Sequence, residues 1–539
     1  MGELVTAGLL KLLLFISSWA IALGITDWAS HGGDILNHRS ASSRISVHNV
    51  KRLHLQWKVD VGADVTATPA IAAKEGIIYF PTWGGVLYAM EADSGRVVWQ
   101  RNLSRLLPGA VARATPALAG PRLLLSLLFP PRVVAFNRSS GALLWSSALI
   151  DPHPAAILTM SGTVHNRFYY AGASSTEEML TTNCCYFQGS VSKIRVANGE
   201  IVWQTSMLPD NGGRVGGYAG AGVWGSSPSI DKSRGLLFVA TGNNYQVPSS
   251  VVQCKEQSEQ GGGVETGGFT PDNCLDPNNH AESIVAIELD TGKIAWSKHL
   301  GGYDVFSSIC FNTSTKPAQC ASTLGPDYDF GQAPMVLYLP CSSKSHLNTS
   351  CIVVAAQKSG IVWALDCANG DIVWYKRAGP GSALGGSMWG SSTDRKHVFT
   401  GISNFYHLDF ELKSLHGNDS GTTNGGGWVA LDATTGNVKW AIANPSPNID
   451  LNVTGGASTF GPVSTSHGIV WATSFDAHGH VYAIDSRNGA ILWEYQTSAT
   501  VYGGFSIGDS CVFVGNGYNA SAAIGGTLGK FMHAFCLPL

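Results

Sequence analysis

The chain has 539 residues, only 13% of them charged, and 34 basic against 37 acidic side chains leave a formal net charge of −3. Lys and Arg are scattered with no basic run, which argues against nucleic acid as a partner. Length alone suggests several domains at ~150 residues each, but an internal repeat that uses nearly the whole chain overrides that expectation.

In chain order, the first feature is the apolar run Leu9–Leu23, with Lys11 inside it and small residues at Ala20, Ala22 and Gly24. It reads as a secretory signal peptide over residues 1–24, cleaved near Gly24. The run is shorter than the ~20 residues of a typical membrane span. No later segment is apolar for long enough to span, so no transmembrane segment is expected after signal removal.

The segment Leu53–Trp57 reads as a strand ending in tryptophan with no turn before it. Then a phrase recurs seven times: AMEADSGRVVW (89–99), AFNRSSGALLW (135–145), KIRVANGEIVW (193–203), AIELDTGKIAW (286–296), ALDCANGDIVW (364–374), ALDATTGNVKW (430–440) and AIDSRNGAILW (483–493). Each is a strand end, a tight turn with glycine at a fixed offset, and a second strand ending in tryptophan. The glycine supplies the positive φ that such a hairpin demands. Apolar runs such as Ile77–Phe80 and Gly235–Ala240 precede the turns and read as buried strands. A repeating unit of about four strands cannot bury its own faces and must stack on its neighbours. Phe531–Phe535 is a last strand with no tryptophan after it. Joined to Leu53–Trp57 it completes one more unit. The expectation is an all-β, eight-bladed β-propeller of four-stranded antiparallel blades over residues 25–539, closed by N- and C-terminal strands that share a blade. The repeat tryptophans are read as blade-packing residues without a chemical role.

Asn-x-Ser/Thr sequons stand at Asn102, Asn137, Asn312, Asn348, Asn418, Asn452 and Asn519, mostly in expected turns or insertions where glycans attach. Three cysteine pairs, Cys254/Cys274, Cys310/Cys320 and Cys341/Cys351, flank insertions, and Cys511 and Cys536 are placed to tie the last full blade to the closing strand. Cys367 is the leftover thiol in this reading. Together these features predict a secreted glycoprotein with disulfides.

The opening Trp28-x-x-x-Gly32-Gly33-Asp34, Arg39, Asn49-Val50-Lys51-Arg52-Leu53 and Trp57 resembles the start of the pyrroloquinoline quinone (PQQ) dehydrogenases, and the repeat resembles their tryptophan-docking motif. The likeness covers essentially 28–539 and is nearest the polyvinyl-alcohol-dehydrogenase-like branch. It implies a quinoprotein that oxidises an alcohol, small or polymeric, with PQQ and a calcium ion, and that passes electrons to a separate acceptor. No Cys-x-x-Cys-His occurs, so no covalent haem is expected in this chain.

A flat, polyanionic ortho-quinone needs a ring to stack on, cations for its carboxylates, a hard cation at the reactive carbonyl and a base beside the alcohol. The resemblance assigns these roles in order. Arg113 and Thr159 resemble contacts to the cofactor carboxylates. In Gly172-Ala-Ser-Ser-Thr-Glu-Glu178 the metal glutamate is Glu177, with Glu178 as the alternative. Trp224, in Trp-Gly-Ser-Ser-Pro, resembles the floor under the quinone, and Asn243, ending Ala240-Thr-Gly-Asn, a metal ligand. Asp329, in Gly325-Pro-Asp-Tyr-Asp-Phe-Gly331, resembles the catalytic base and a third ligand. Lys358, in Gln357-Lys-Ser-Gly360, resembles the cation that reaches the quinone oxygens.

The chain departs from the family pattern where adjacent cysteines are expected before blade two; it has Arg113-Ala-Thr-Pro116 there. Its own pair, Cys184-Cys185, follows Glu177 in blade three and is the candidate for a vicinal disulfide facing the cofactor. The rival reading is a non-catalytic extracellular propeller, a scaffold or a glycan- or protein-binding module, that has lost the cofactor.

Overall fold

The computed structural model describes residues 27–180, 184–259, 273–311, 320, 324–339, 350–413, 421–449, 456–519 and 524–538. The signal segment 1–24 and the sequons at Asn312, Asn348, Asn418 and Asn452 lie outside these residues. Among the described residues no helix is long and apolar enough to cross a membrane.

The apolar runs before each turn glycine are second strands, buried on both faces between adjoining blades. Leu236–Ala240 is buried throughout, whereas the outermost strand Ile201–Ser206 alternates between half-buried and exposed positions. Four antiparallel strands, in chain order from inside to outside, make the blades spanning 70–102, 117–146, 163–206, 229–299, 335–377, 392–443 and 464–496. The eighth blade takes Ser506–Ile507, Cys511–Gly515 and Phe531–Cys536 from the C-terminal end and His54–Asp60 from the N-terminal end as its outermost strand. Its closing register runs from His54 opposite Cys536 to Asp60 opposite Phe531. The chain is therefore the eight-bladed propeller that the repeat predicts.

The turn glycines serve two purposes. Gly95, Gly141, Gly199, Gly292, Gly370, Gly436 and Gly489 all have positive φ. A Cβ on Gly436 would also lie 2.5 Å from Trp374, and one on Gly141 2.6 Å from Trp99, because the tryptophan of each blade packs flat on the turn of the next. Each indole Nε1 then donates to a carbonyl of that turn at 2.9–3.2 Å, from Trp57 on Ala92 to Trp440 on Ser486. Trp493 has no such turn to meet, since the last two strands of the eighth blade come from opposite chain ends. It packs on Phe535 instead, with ring centroids 5.1 Å apart.

Residues 28–41 thread the ring as a strap. Trp28 bridges to Ile71 and Ser40 to Thr465. Backbone N–H groups of Leu118, Ile230, Val336 and Thr393 donate to the carbonyls of Ala29, Ile35, Leu36 and His38. The strap thus joins the inner strands or their flanks in six blades.

Disulfides join Cys254 to Cys274, Cys310 to Cys320, Cys511 to Cys536 and Cys184 to Cys185. One expected pairing is corrected. Cys351 is bonded to Cys367, so Cys367 is no free thiol, and Cys341 lies outside the described residues. The register explains the choice: Ile352 sits opposite Asp366, which brings the residues just beyond them together at the end of blade five, Cα to Cα 5.6 Å. Cys511–Cys536 links the second and third strands of one blade and leaves the N-terminal strand held by hydrogen bonds and packing alone.

Candidate active site

Loops that leave the second strands and connections that enter the innermost strands meet at one end of the ring axis. The first group brings Ser174 and Ser175 from blade three, Asn243 from blade four and Lys358 from blade five; the second brings Arg113, Thr159, Trp224, Asp329, Trp389 and Tyr502. They enclose a cavity of 230 Å³, to whose lining Ile157, Leu384 and Ile524 add apolar side chains.

One end of the cavity is acidic. Asp329 Oδ2 accepts from Trp224 Nε1 at 2.9 Å and Lys358 Nζ at 3.3 Å, and its Oδ1 accepts from the Asn243 backbone N–H at 2.6 Å. That approach requires glycine at 242, where a Cβ would lie 2.8 Å from Asp329 Oδ1. Lys358 also donates to Asp327 Oδ1 at 2.8 Å and stands 5.5 Å over the Trp224 ring. Asp304 fastens the segment by accepting the N–H groups of Asp327 and Tyr328 at 3.1 and 2.7 Å. Asp327 itself takes the left-handed φ of 57°, a backbone strain of the kind that concentrates at functional sites.

Five carboxylates, Glu178, Glu282, Asp304, Asp327 and Asp329, thus share one electrostatic neighbourhood with one ammonium group. Desolvation, reinforced by Asp329, pushes Glu178 up to about 8. Burial raises Asp304 to about 6 and holds Glu282 and Asp327 well above the carboxylate range. Burial disfavours the Lys358 charge, but Asp327, Asp329 and Glu178 outweigh it and keep that amine well above its ordinary value. Asn243 adds a neutral oxygen to this end. Its Nδ2 donates to the carbonyls of Asn244 and Phe306, while its fully buried Oδ1 accepts nothing. A buried orphan oxygen beside surplus carboxylates is the donor set of a hard cation.

The other end is cationic. The Arg113 guanidinium lies 4.4 Å over Trp389, 5.6 Å over Trp83 and 6.0 Å from Tyr502. Among the described residues it makes no hydrogen bond or ion pair, so its N–H fork is free for a ligand anion. Thr159 Oγ1 donates to the Trp224 carbonyl at 2.9 Å. Trp389 meets Trp224 edge-on at 5.2 Å. Beneath Arg113 and Thr159 a small cavity of 20 Å³ is lined by His31, Thr115, Ser161 and Ser226.

Arg113, Thr159, Trp224, Asn243, Asp329 and Lys358 therefore meet in one cavity. Glu177 does not. It is fully buried, and its carboxylate accepts the N–H groups of Tyr186 at 2.9 Å and Phe187 at 2.8 Å and contacts His153 Nε2 at 3.1 Å. These bonds commit it to holding the loop after Cys185. Its neighbour Glu178 lines the cavity in its place. Cys184 and Cys185 lie in the apolar core with Phe187 and Tyr245, behind the cavity wall, and do not face the ligand space. Sequence reasoning missed Glu282 and Asp304 altogether and gave Trp389 and Tyr502 no site role.

A family model described as "Outer membrane protein assembly factor BamB" (PQQ_2) matches residues 41–298 and 189–523. The chain is 27% identical over 497 residues to a polyvinylalcohol dehydrogenase of Pseudomonas sp., covering 88% of this chain and 68% of that protein. It is 27% identical over 531 residues to a polyvinylalcohol dehydrogenase of Sphingopyxis sp. (strain 113P3), covering 91% of this chain and 73% of that one. The crystal structure of quinohemoprotein alcohol dehydrogenase from Comamonas testosteroni superposes with a TM-score of 0.66 at 17% identity, over 96% of this chain and 81% of that one. A europium-containing methanol dehydrogenase gives 0.65 at 15% identity, over 95% and 98%. These two likenesses establish the fold.

Proposed function

The chain belongs to the PQQ_2 family of repeat propellers, with polyvinylalcohol dehydrogenases among its relatives, and on that premise we propose that it is a quinoprotein oxidoreductase that oxidises an alcohol. The observation that carries this reading is the division of one cavity into two ends. The surplus carboxylates and the orphan Asn243 oxygen lie at one end, and the unpaired Arg113 lies at the other, with the Trp224 indole between them. A planar tricarboxylate with a cation-binding edge matches that division; a scaffold propeller has no need of it.

Glu178, the Asn243 amide oxygen and Asp329 would hold the cation, and calcium suits their hard oxygens. Arg113 and Thr159 would hold the cofactor carboxylates, and Trp224 would lie beneath its rings. When bound, the quinone supplies the two-electron acceptor and the cation a Lewis acid. The chain's own part is proton handling and orientation. Asp329 is the base that takes the alcohol hydroxyl proton on a carboxylate oxygen. The Trp224 indole N–H and the Asn243 N–H fix the rotation of that carboxylate. Lys358, drawn between Asp327 and Asp329, offers a cation where oxyanion charge develops. Ile157, Leu384 and Ile524 supply the apolar part of the lining.

The electron acceptor would be a separate molecule. Secretion is part of the proposal, supported by the disulfides and by the sequons at Asn102, Asn137 and Asn519. The test is reconstitution of purified protein with PQQ and calcium, followed by dye-linked oxidation of small alcohols and polyvinyl alcohol. Reduction of bound quinone by an alcohol is expected, and Asp329→Asn should lower kcat at least 100-fold with PQQ still bound. Protein that binds no quinone under these conditions would be the scaffold propeller instead.

A further inference from the structure

Arg39 is a buried charge that the proposed chemistry does not use. It lies on the strap through the ring and is fully inaccessible to solvent. Its Nε donates to the Val463 carbonyl at 2.8 Å, its Nη2 to Ser464 Oγ at 3.0 Å and Thr68 Oγ1 at 3.4 Å, and its Nη1 to the His31 carbonyl. All four acceptors are neutral, and among the described residues no carboxylate pairs with it. The cage is built for this side chain. A Cβ on Gly390 would come within 2.8 Å of Arg39 Cδ, and one on Gly504 within 2.7 Å of its Nη2. Burial alone pulls the guanidinium down to about 9. A buried cation without a counter-charge is a large cost to the fold.

One residue of the cage, His31, borders the cationic end of the site. His31, whose carbonyl takes the Arg39 hydrogen bond, presents its ring to the small cavity beneath Arg113. Its Nε2–H donates to the Trp389 carbonyl, 2.7 Å away, and burial with Arg39 behind it holds the ring well below its ordinary value, so it stays neutral and adds no charge of its own. The acidic cluster sits at the far end of the main cavity, with Lys358 among it.

We infer that Arg39 is a positioning residue for the anionic end of the ligand, its buried charge being balanced across His31 by the carboxylates of the molecule that Arg113 grips. The cationic end then holds two guanidinium groups, one in contact and one behind the wall, and only a multivalent anion satisfies both. The inference rests on the quinoprotein reading for the ligand's identity, but not for its charge.

The test uses the full-length protein without PQQ and a planar tricarboxylate, benzene-1,3,5-tricarboxylate, as probe. Affinity is read from thermal shift at constant ionic strength against chloride. Arg39→Gln should weaken the tricarboxylate about tenfold through lost Coulomb attraction, while Arg39→Lys, which keeps the charge, stays within about threefold. Stabilisation by calcium alone should be the same in Arg39→Gln as in the native chain, which a general loss of structure would not allow. Arg113→Gln should retain weak tricarboxylate binding, and the double variant none. Undiminished binding in Arg39→Gln, complete loss in Arg113→Gln alone, or no response of the native chain beyond chloride each overturns the inference. Should Arg39→Gln fail to fold, the Arg113→Gln arm decides by the same criterion. Tricarboxylate binding in a protein that PQQ and calcium leave inactive would sink the quinoprotein reading and leave Arg39's role standing.

Discussion

Glu177 and Glu178 are consecutive residues of one short 3-10 turn, Glu177–Met179, yet their environments are opposite. The first is locked by two backbone N–H groups and His153, the second lines the cavity. Glu177→Gln should therefore cost about 1–3 kcal/mol of stability by weakening charge-assisted bonds, with calcium affinity unchanged. Glu178→Gln should leave the melting temperature of the metal-free protein unchanged or higher and weaken calcium at least tenfold by calorimetry. Because Glu178 is pushed up to about 8, it carries a proton at neutral pH that a cation must displace. Calcium affinity should then rise by up to about tenfold per pH unit between pH 6 and 8 and level off above, and the slope should be absent in Glu178→Gln. A flat pH profile in the native chain would remove Glu178 from the ligand set. Sequence left the choice between the two glutamates open for a physical reason. Adjacent side chains on a tight turn diverge, and which one turns inward is set by backbone donors at Tyr186 and Phe187, residues that no motif marks.

At the scale of the element, the repeat was legible because local geometry imposes it. The turn needs glycine for its φ and again for the indole that lies on it, so Gly436 and Trp374 recur as a pair at fixed spacing. The entry connections carry a weaker regularity: Arg113-Ala-Thr-Pro, Trp224-Gly-Ser-Ser, Trp389-Gly-Ser-Ser and Tyr502-Gly-Gly-Phe stand at the same place before blades two, four, six and eight and send their first residue into the cavity. That regularity marks Trp389 and Tyr502 as site residues. Asp304 and Glu282 had no such marker, since Glu282 ends the long insertion of blade four, Asp304 lies in the connection from blade four to blade five, and both act through burial. The Cys351–Cys367 bond depended on register, which spacing does not reveal. The closing strand has its own signature in His533, which is fully buried. Burial, with Lys58 nearby, drives its imidazole down to about 3, so it is neutral when folded and takes up a proton when unfolded below its ordinary 6.5. Its folded value is depressed, and for a base this means stability is lost as pH falls from 6.5 toward 3. The loss should reach about 3 kcal/mol by pH 4, read as a falling urea midpoint, and His533→Leu should flatten that part of the curve. An equal slope in the variant would place the acid sensitivity elsewhere.

For the whole molecule, the site exists only while the ring is closed. Arg113 enters blade two and Tyr502 enters blade eight, and both line one cavity with residues from blades three to six. Closure itself rests on His54–Asp60 pairing with Phe531–Cys536, strands from opposite ends of the chain. The Cys511–Cys536 bond does not enforce that pairing, because both cysteines lie on the C-terminal side of the seam and close a loop with a sequence separation of only 25. Two perturbations should therefore behave differently. Replacing both cysteines by serine removes about 3 kcal/mol of chain-entropy stabilisation and should lower the melting temperature while the protein stays monomeric and closed. Deleting residues 531–539 takes the third strand out of the eighth blade. It leaves His54–Asp60 without its partner and opens the edge of Cys511–Gly515, two unpaired strand edges of the kind that recruit other chains. Light scattering after size-exclusion chromatography should then show aggregates, not a weakened monomer, and tricarboxylate binding should vanish together with the cavity. A truncated chain that remained monomeric, unfolded cooperatively and still bound the anion would show that the strap of residues 28–41, and not the shared blade, holds the ring together.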